Sequence, residues 1–587
     1  MPTVTFDHAT IRALQERFDV KHDPWLWEQK FSDIGCVVES CDSKEIEIEI
    51  FPDRPDLLSP ETISHAARAF LHDAGANPDL ETIDGDVVMT VDESLSTVRP
   101  VILGAIVKGV DTGTSNEEQD AFIQALMDHQ EKLHFSLGRR RRRASIGVHD
   151  LSTLIPPFKV MTVPDTYSFT PLAMTERMSI REILERHPKG IDYAHLLDGF
   201  QEFPVIVDAA DRVLSFPPII NGDHTTVTET TTDFFIDVTG WDLRACEASL
   251  LLVCLAFSAR GGVVETIQLT DCNGKTFRSP NGKARRVSLP KRLLEEILGR
   301  EFNKQEITTA IDRMGGRFVE LRTVTDGPRV ADRMADAAIG EQEYILEMPR
   351  WRADLLHPVD LVEEIATGIG YEDLGSALSG QSKAGIPLPS AHMNRRIRES
   401  LQANGLQQVT SLTLANERDQ FEKMRTPATS EITTLHNPIT VDHTMMRQNI
   451  TPSLLNLLAA NRHHELPQRV YELGTVVRDH HNTRRVGWAC AEVGTGFTAA
   501  KGIALALLRD LGANAKEIEI EFTALTANDG SPYLEGRGAK VHVAGQWVGC
   551  IGEVDPTVSE QFGLKVPIHT GEFDVAALEL LIPDPIL

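Results

Sequence analysis

FPPIINGDHTTVTETTTDFFIDVTGWD, residues Phe216 to Asp242, holds the least ordinary residue choices in the chain. Two prolines and an Asn-Gly pair lead into a threonine-rich run. The run ends in Phe234-Phe235-Ile236-Asp237-Val238-Thr239, closed by Gly240. Aromatic and β-branched residues in that density predict a strand. Side chains alternate along a strand, so Phe234, Ile236 and Val238 are expected on one face and Phe235, Asp237 and Thr239 on the other. A buried Asp and Thr sharing a face need hydrogen-bonding partners. A small polar pocket that reads a ligand is one explanation.

Around this stretch lies a chain of 587 residues, too long for one core and suggesting about four domains. Hydrophobic residues make up 41% and charged residues 25%, an ordinary globular balance. The net charge of -28 by itself argues against nucleic-acid binding, but binding follows a local basic patch rather than a total. Such a patch is present: Arg139, Arg140, Arg141, Arg142 and Arg143 stand together in HFSLGRRRRRASIGVHDL. They form either a solvated surface loop or a set of phosphate contacts. The 7 cysteines are odd in number and carry no CxxC pair, which reads as a reducing, cytoplasmic setting without structural zinc. The start, MPTVTFDHATI, has no signal-peptide character, and the apolar run Ala248 to Phe257 is half a membrane span at most.

Four regions follow from the pattern, making a multidomain α+β chain. Residues 1–95 form an N-terminal α/β domain with the alternating strand Glu45 to Ile50, the turn FPDRPD, and a helix begun by Ser59 and Pro60 and ended by Gly75. Residues 96–275 are mixed α/β, with a helix from Glu117 to Leu133 and another from Ser179 to Leu184, stopped at His187-Pro188-Lys189-Gly190. Residues 284–375 form a small helical and β domain. After a Gly/Ser/Pro-rich linker, residues 385–587 alternate helices with strands (Val409 to Leu414, Val470 to Val477, Ala539 to Val543, Trp547 to Gly552), as an antiparallel sheet with flanking helices does.

The third region carries a second motif. In DLLHPVDLVEE, Pro358 suits a first helical position, so Asp360, Glu363 and Glu364 share one helix face, opposite Val359, Val362, Ala366 and Ile369. Asp354 comes from just before the helix. Four converging carboxylates can hold a hard divalent ion; acidic residues in a first turn also simply favour the helix dipole. Both readings stand on spacing alone.

FPDRPDLLS, EKLHFSLGRRRRRASIGVHDL, the opening stretch, Pro349 to Tyr371 and HHELPQRVYELGTVV occur in that order, and together they resemble the beta subunit of phenylalanine–tRNA ligase in its archaeal and eukaryotic form. The bacterial form carries an extra tRNA-binding-like domain near its N-terminus, for which no room is expected in this chain, and a C-terminal anticodon-binding domain, which is not expected in the sequence up to Leu587. The resemblance implies a cytoplasmic tetramer of two alpha and two beta chains that attaches phenylalanine to its tRNA with ATP, the aminoacylation site lying on alpha. It implies that region 96–275 is an editing domain that hydrolyses Tyr-tRNA, with Ile206, Ser215, Asp237 and Thr239 in its pocket. Asp354, Asp360, Glu363 and Glu364 then match magnesium positions. A Ser-His-Asp or Cys-His set is not evident near the pocket, so the expected attacking water is positioned by the tRNA hydroxyls and the backbone. The rival expectation is a scaffold with a decayed editing site; a DNA-binding role for residues 284–375 is argued against by their acidic face. In the last region, His436-Asn437-Pro438 with Arg447 to Leu455 and Arg469 to Glu472 resemble the first and second class II synthetase motifs. No arginine follows Gly552 to supply the third. The expectation is a catalytically inert look-alike.

Overall fold

The computed structural model describes residues 3–582 apart from residues 73, 75, 76, 331, 333, 376–384, 514–517 and 527–529. Gly75 and most of the linker therefore lie outside the described residues. The chain forms two compact units, Met1–Leu378 and Ser379–Leu587.

In the first unit, Thr3–Asp7, Glu45–Ile50 and Cys36–Cys41 make a three-stranded sheet with Glu45–Ile50 in the middle. The EIEIEI alternation does what period two demands: Ile46, Ile48 and Ile50 are buried against the helix Pro60–His72. The Ser59 hydroxyl accepts from Thr62 N at 3.2 Å and starts that helix. The FPDRPD turn is a connector braced from inside. Arg54 and Asp56 are both buried, and Arg54 donates to the two carboxylate oxygens at 2.9 and 2.8 Å and to the Ile34 carbonyl at 2.7 Å.

A ten-stranded mixed sheet follows. Its strands run in the order Ile220–Asn221, Val213–Phe216, Phe203–Val207, Phe158–Val163, Ile83–Val91, Val263–Thr270, Val101–Lys108, Phe234–Gly240 and Ala144–Asp150, with Thr276–Ser279 beside Val263–Thr270. The sheet thus takes in strands on either side of residues 96–275. Phe234–Gly240 pairs antiparallel with a neighbour on each side along its whole length. The expected alternation holds. Phe234, Ile236 and Val238 join the core with the helix Leu243–Ala259, while Phe235 packs into a second apolar cluster on the opposite face. The helix Ile180–Arg186 is capped by Ser179. His187-Pro188 does more than stop it: the His187 ring caps a further short helix, Pro188–Tyr193, with Pro188 in its first turn.

The third region packs the helices Lys291–Leu298, Lys304–Arg313 and Pro358–Ile369 against the strands Arg285–Pro290, Gln342–Met348 and Arg317–Thr323 around one core. The second unit is a seven-stranded sheet, antiparallel except where Gln407–Gln408 runs parallel to Gln468–Arg478. Helices Pro389–Ala403, Phe497–Asp510 and Val575–Leu581 contribute to one core and Thr451–Ala460 and Pro556–Gln561 to another. The expected strand from Val409 to Leu414 is absent as such. Only Gln407–Gln408 and Leu414–Ala415 are extended and paired there, in different sheets.

Candidate functional site

Asp237 sits near the middle of its strand, 1% exposed, opposite Gly147 on the neighbouring strand Ala144–Asp150. His149, two residues further along that strand and 0% exposed, donates from Nε2 to Asp237 Oδ1 at 2.9 Å. A carboxylate only accepts, so the imidazole proton belongs on Nε2. Nδ1 then faces the Thr225 hydroxyl at 2.9 Å. Thr225–His149–Asp237 is therefore a continuous buried chain. Neither a Ser-His-Asp nor a Cys-His set is expected here from the sequence, and the chain is instead Thr-His-Asp. His149 was within the GVHD segment all along, but its relation to Asp237 is a cross-strand diagonal, which spacing along the chain does not reveal.

Position 147 makes the chain possible. A Cβ there would lie 2.8 Å from His149 Nε2 and closer still to Asp237 Oδ1. Only glycine leaves room for the two side chains to meet.

Asp237 lines a cavity of about 430 Å³. Ile146, Val148, Ile219 and Ile220 give it apolar walls, and Ser145, Ser215, Asn221 and Thr225 add neutral polar groups. An apolar pocket with a few convergent polar groups suits a small organic ligand with one apolar body and polar ends. Of the four residues expected there, Asp237 and Ser215 line the cavity. Thr239 stands one layer back: its hydroxyl accepts from Arg99 Nε at 2.7 Å and lies 3.0 Å from the Ser145 hydroxyl, which does reach the cavity. Ile206 pairs directly with Ser215 across two strands and packs into the apolar cluster of Phe235 and Phe158, supporting the wall from behind. The sequence reading did not single out Arg99. It is buried and also donates to the Thr239 carbonyl at 2.8 Å and to Ser145 at 3.1 Å.

The five arginines do not act as one patch. Arg139, Arg140 and Arg141 take the left-handed conformation, with φ of 48°, 53° and 65°, and this turns successive side chains to different sides. Arg141 points inward, 7% exposed. It donates to the Pro218 and Ile219 carbonyls at 3.2 and 3.0 Å and to Glu131 at 2.6 Å. It clasps the cavity wall to the helix Asn116–Phe135. Arg143 pairs with Asp242. Arg139, Arg140 and Arg142 are exposed. The His134 hydrogen bond, with Arg141 and Lys189 nearby, holds the Glu131 carboxyl down at about 2.

The acidic helix is also differently partnered than its spacing suggests. Arg352, 3% exposed, donates to both oxygens of Glu364 at 2.8 and 2.6 Å and binds Asp354 at 2.7 Å. Glu364 is buried on the same side as Leu361, Val362 and Ile365, whereas Val359 is exposed. Val362 and Ala366 of the expected apolar stripe are buried and Ile369 packs on the same core; the departures are the exposed Val359, and Glu364, which is buried with its carboxylate on Arg352. Asp360 accepts from Leu356 N and His357 N at 2.6 and 2.7 Å, and Glu363 is exposed. Among the described residues no group of three or more His, Cys, Asp or Glu side chains is arranged to hold a metal ion. A cation already stands between Asp354 and Glu364, so the set as arranged within this chain does not fit a bound divalent ion.

In the second unit, Arg447 and Glu472 are both buried and paired at 2.6 Å, and Arg447 also donates to the Thr475 carbonyl at 3.0 Å and to Ser411 at 2.7 Å. Arg469 pairs with Glu492 at 2.6 Å. Arg447 of the first motif-like segment and Glu472 of the second are thus bound to one another, while Arg469 is held by Glu492 at the end of the neighbouring strand.

The sheet with its cavity is followed along the chain by a small helical and β domain and then by an antiparallel sheet, a multidomain α+β architecture. Family models agree region by region: a B3/4 domain over residues 98–250, a tRNA synthetase B5 domain over 287–371, and a phenylalanyl tRNA synthetase beta chain CLM domain over 376–575. The chain belongs to the phenylalanine–tRNA ligase beta-subunit family. It is 37% identical to the beta subunit of Methanosarcina barkeri over 98% of this chain and 99% of that one. It is 37% identical to that of Methanothrix thermoacetophila, over 93% and 94%. A crystal structure of an N-terminal fragment of the Pyrococcus horikoshii beta subunit superposes with a TM-score of 0.54 at 26% identity, covering 63% of this chain and 100% of the fragment. Among the described residues no helix is long and apolar enough to cross a membrane.

Proposed function

We propose that this chain works with an alpha subunit, in a tetramer of two of each, to attach phenylalanine to its tRNA in the cytoplasm. ATP is consumed on alpha, with magnesium as the counter-ion of its phosphates. We further propose that the cavity around Asp237 hydrolyses tRNA mischarged with tyrosine. The observation that carries this is the Asp237 carboxylate, held by His149 at the wall of a cavity that combines apolar walls with a few polar side chains.

The chemistry of discrimination supports the reading. Tyrosine is phenylalanine plus one hydroxyl, and an apolar pocket rejects an added hydroxyl only about a hundredfold. A second site that bonds the hydroxyl positively supplies the rest, because phenylalanine would leave its polar groups unpaired. With Oδ1 occupied by His149, Asp237 offers Oδ2 to the phenol O–H. Ile146, Val148 and Ile219 enclose the ring. Ser145, Ser215 and Asn221 line the same cavity, and in this reading they bond the amino group or ester carbonyl. The water attacks the ester carbon, its proton passes to the departing ribose oxygen, and free tyrosine and tRNA result.

The test is deacylation of Tyr-tRNA by the alpha–beta complex. Rapid release by wild type and loss in Asp237→Ala are expected. Equal release by both would sink the pocket assignment, and no release by either would favour a scaffold with a decayed site.

A further inference from the structure

We propose that the surface formed by the exposed Phe135 and Arg140 beside the half-buried Tyr193 is a stacking platform for the single-stranded 3′ end of the RNA whose ester enters the cavity. This rests on the editing reading above.

The platform is continuous with the cavity. Phe135, Arg140 and Tyr193 line a surface groove of about 330 Å³. Glu131 lines both groove and cavity, and the Tyr193 ring lies 4.4 Å under the Arg141 guanidinium that forms part of the cavity wall. The cavity itself accommodates an amino-acid side chain, so the nucleotides that carry it lie outside, and this groove adjoins the cavity through Glu131 and Arg141.

The rim chemistry is that of single-strand binding. Phe135 is a large aromatic 60% exposed at the end of its helix, and Arg140 lies over its ring at 5.5 Å. Aromatic faces interleaved with guanidinium groups bind bases without regard to sequence. The acidic groups here are already engaged: Glu131 by Arg141 at 2.6 Å and Lys189 at 3.8 Å, Asp128 by Lys132 at 3.4 Å. Arg139, Arg140 and Arg142 have no acidic partner among the described residues, so their charge is left for phosphates. The left-handed turn at residues 139–141 sends Arg141 inward to the cavity wall while its two predecessors stay exposed. Three consecutive non-glycine residues in that conformation make a costly arrangement, and this separation of roles is what it achieves.

The test compares the wild-type alpha–beta complex with Phe135→Ala, Arg140→Ala and Asp237→Ala on Tyr-tRNA. Phe135→Ala is expected to raise the half-saturating tRNA concentration about 5- to 150-fold, the range for one lost base–aromatic stack, with the saturated rate retained. Arg140→Ala is expected to raise it less, by an amount that shrinks as salt is added. Unchanged half-saturation in both variants, with Asp237→Ala inactive, overturns the platform and leaves the editing reading standing. If wild type releases no tyrosine, the editing reading falls. Binding of a fluorescent oligoribonucleotide ending in CCA then decides the platform: weaker binding to Phe135→Ala supports it and equal binding overturns it.

Discussion

His149 and Asp237 meet at 2.9 Å across the space that a side chain at position 147 would fill. Both backbones are fixed by seven paired residues, so neither strand can retreat. Gly147→Ala is expected to cost about 1–3 kcal/mol in denaturant unfolding, as overpacking does. It should also reduce Tyr-tRNA release. A variant with wild-type midpoint and wild-type release would show that the bond is dispensable.

His149→Phe fills the same space but leaves Asp237 Oδ1 without its partner, while the Thr225 hydroxyl keeps its bond to the Gly222 carbonyl at 3.0 Å. The unpaired carboxylate oxygen should lower stability by about 1–3 kcal/mol. Selectivity is the sharper readout. The kcat/KM ratio for Tyr-tRNA over Phe-tRNA should collapse in His149→Phe and recover in part in His149→Gln, whose amide can still donate to the carboxylate. Equal ratios in all three would make His149 a packing residue only.

Arg352 already supplies the positive charge between Asp354 and Glu364. Chelation by EDTA is therefore expected to leave the Tm of the isolated chain unchanged. Arg352→Met should lower stability by about 3–5 kcal/mol, the cost of breaking one side of a buried ion pair. A Tm that drops on chelation and returns with magnesium would reverse this assignment.

Glu131 gives a pH dependence of definite sign. Its carboxyl is lowered from 4.5 to about 2, first by the His134 hydrogen bond, so its stabilisation is present above the unfolded value and is lost as pH falls through the folded one. The stability gap between wild type and Glu131→Gln should stay constant above about pH 5 and shrink steadily below about pH 4.5. A gap unchanged at pH 3 would rule out the ionic contribution. The side chain is 49% exposed, so the gap is expected to be small.

ATP–pyrophosphate exchange by this chain without alpha is expected at background. Arg447 and Glu472 are closed on each other, and no arginine follows Gly552. Measurable phenylalanine-dependent exchange would contradict an inert second unit.

How much of this was legible beforehand depended on whether the determinant was local. The alternation Phe234 to Thr239 and the Ile46, Ile48, Ile50 face follow from strand geometry alone and came through intact. So did the capping of Pro60–His72 by Ser59. Partners from distant segments did not. His149 is 88 residues from Asp237, and only the strand register brings it there. Glu364 lies 12 residues from Arg352, which comes from outside its helix and overrides the helical wheel. The arginine run looked uniform because composition carries no sign of the backbone handedness that sends Arg141 inward.

Phe234–Gly240 has a bonded neighbour on each side and apolar packing on both faces. Its amides should be among the last in the chain to exchange with deuterated solvent, whereas those around Arg139 to Arg143 should exchange early. Mild heating would then loosen the rim while the carboxylate stays in place. If the cavity edits as proposed, thermal stress would impair it first by weaker capture of the RNA and only later by confusion between the two amino acids.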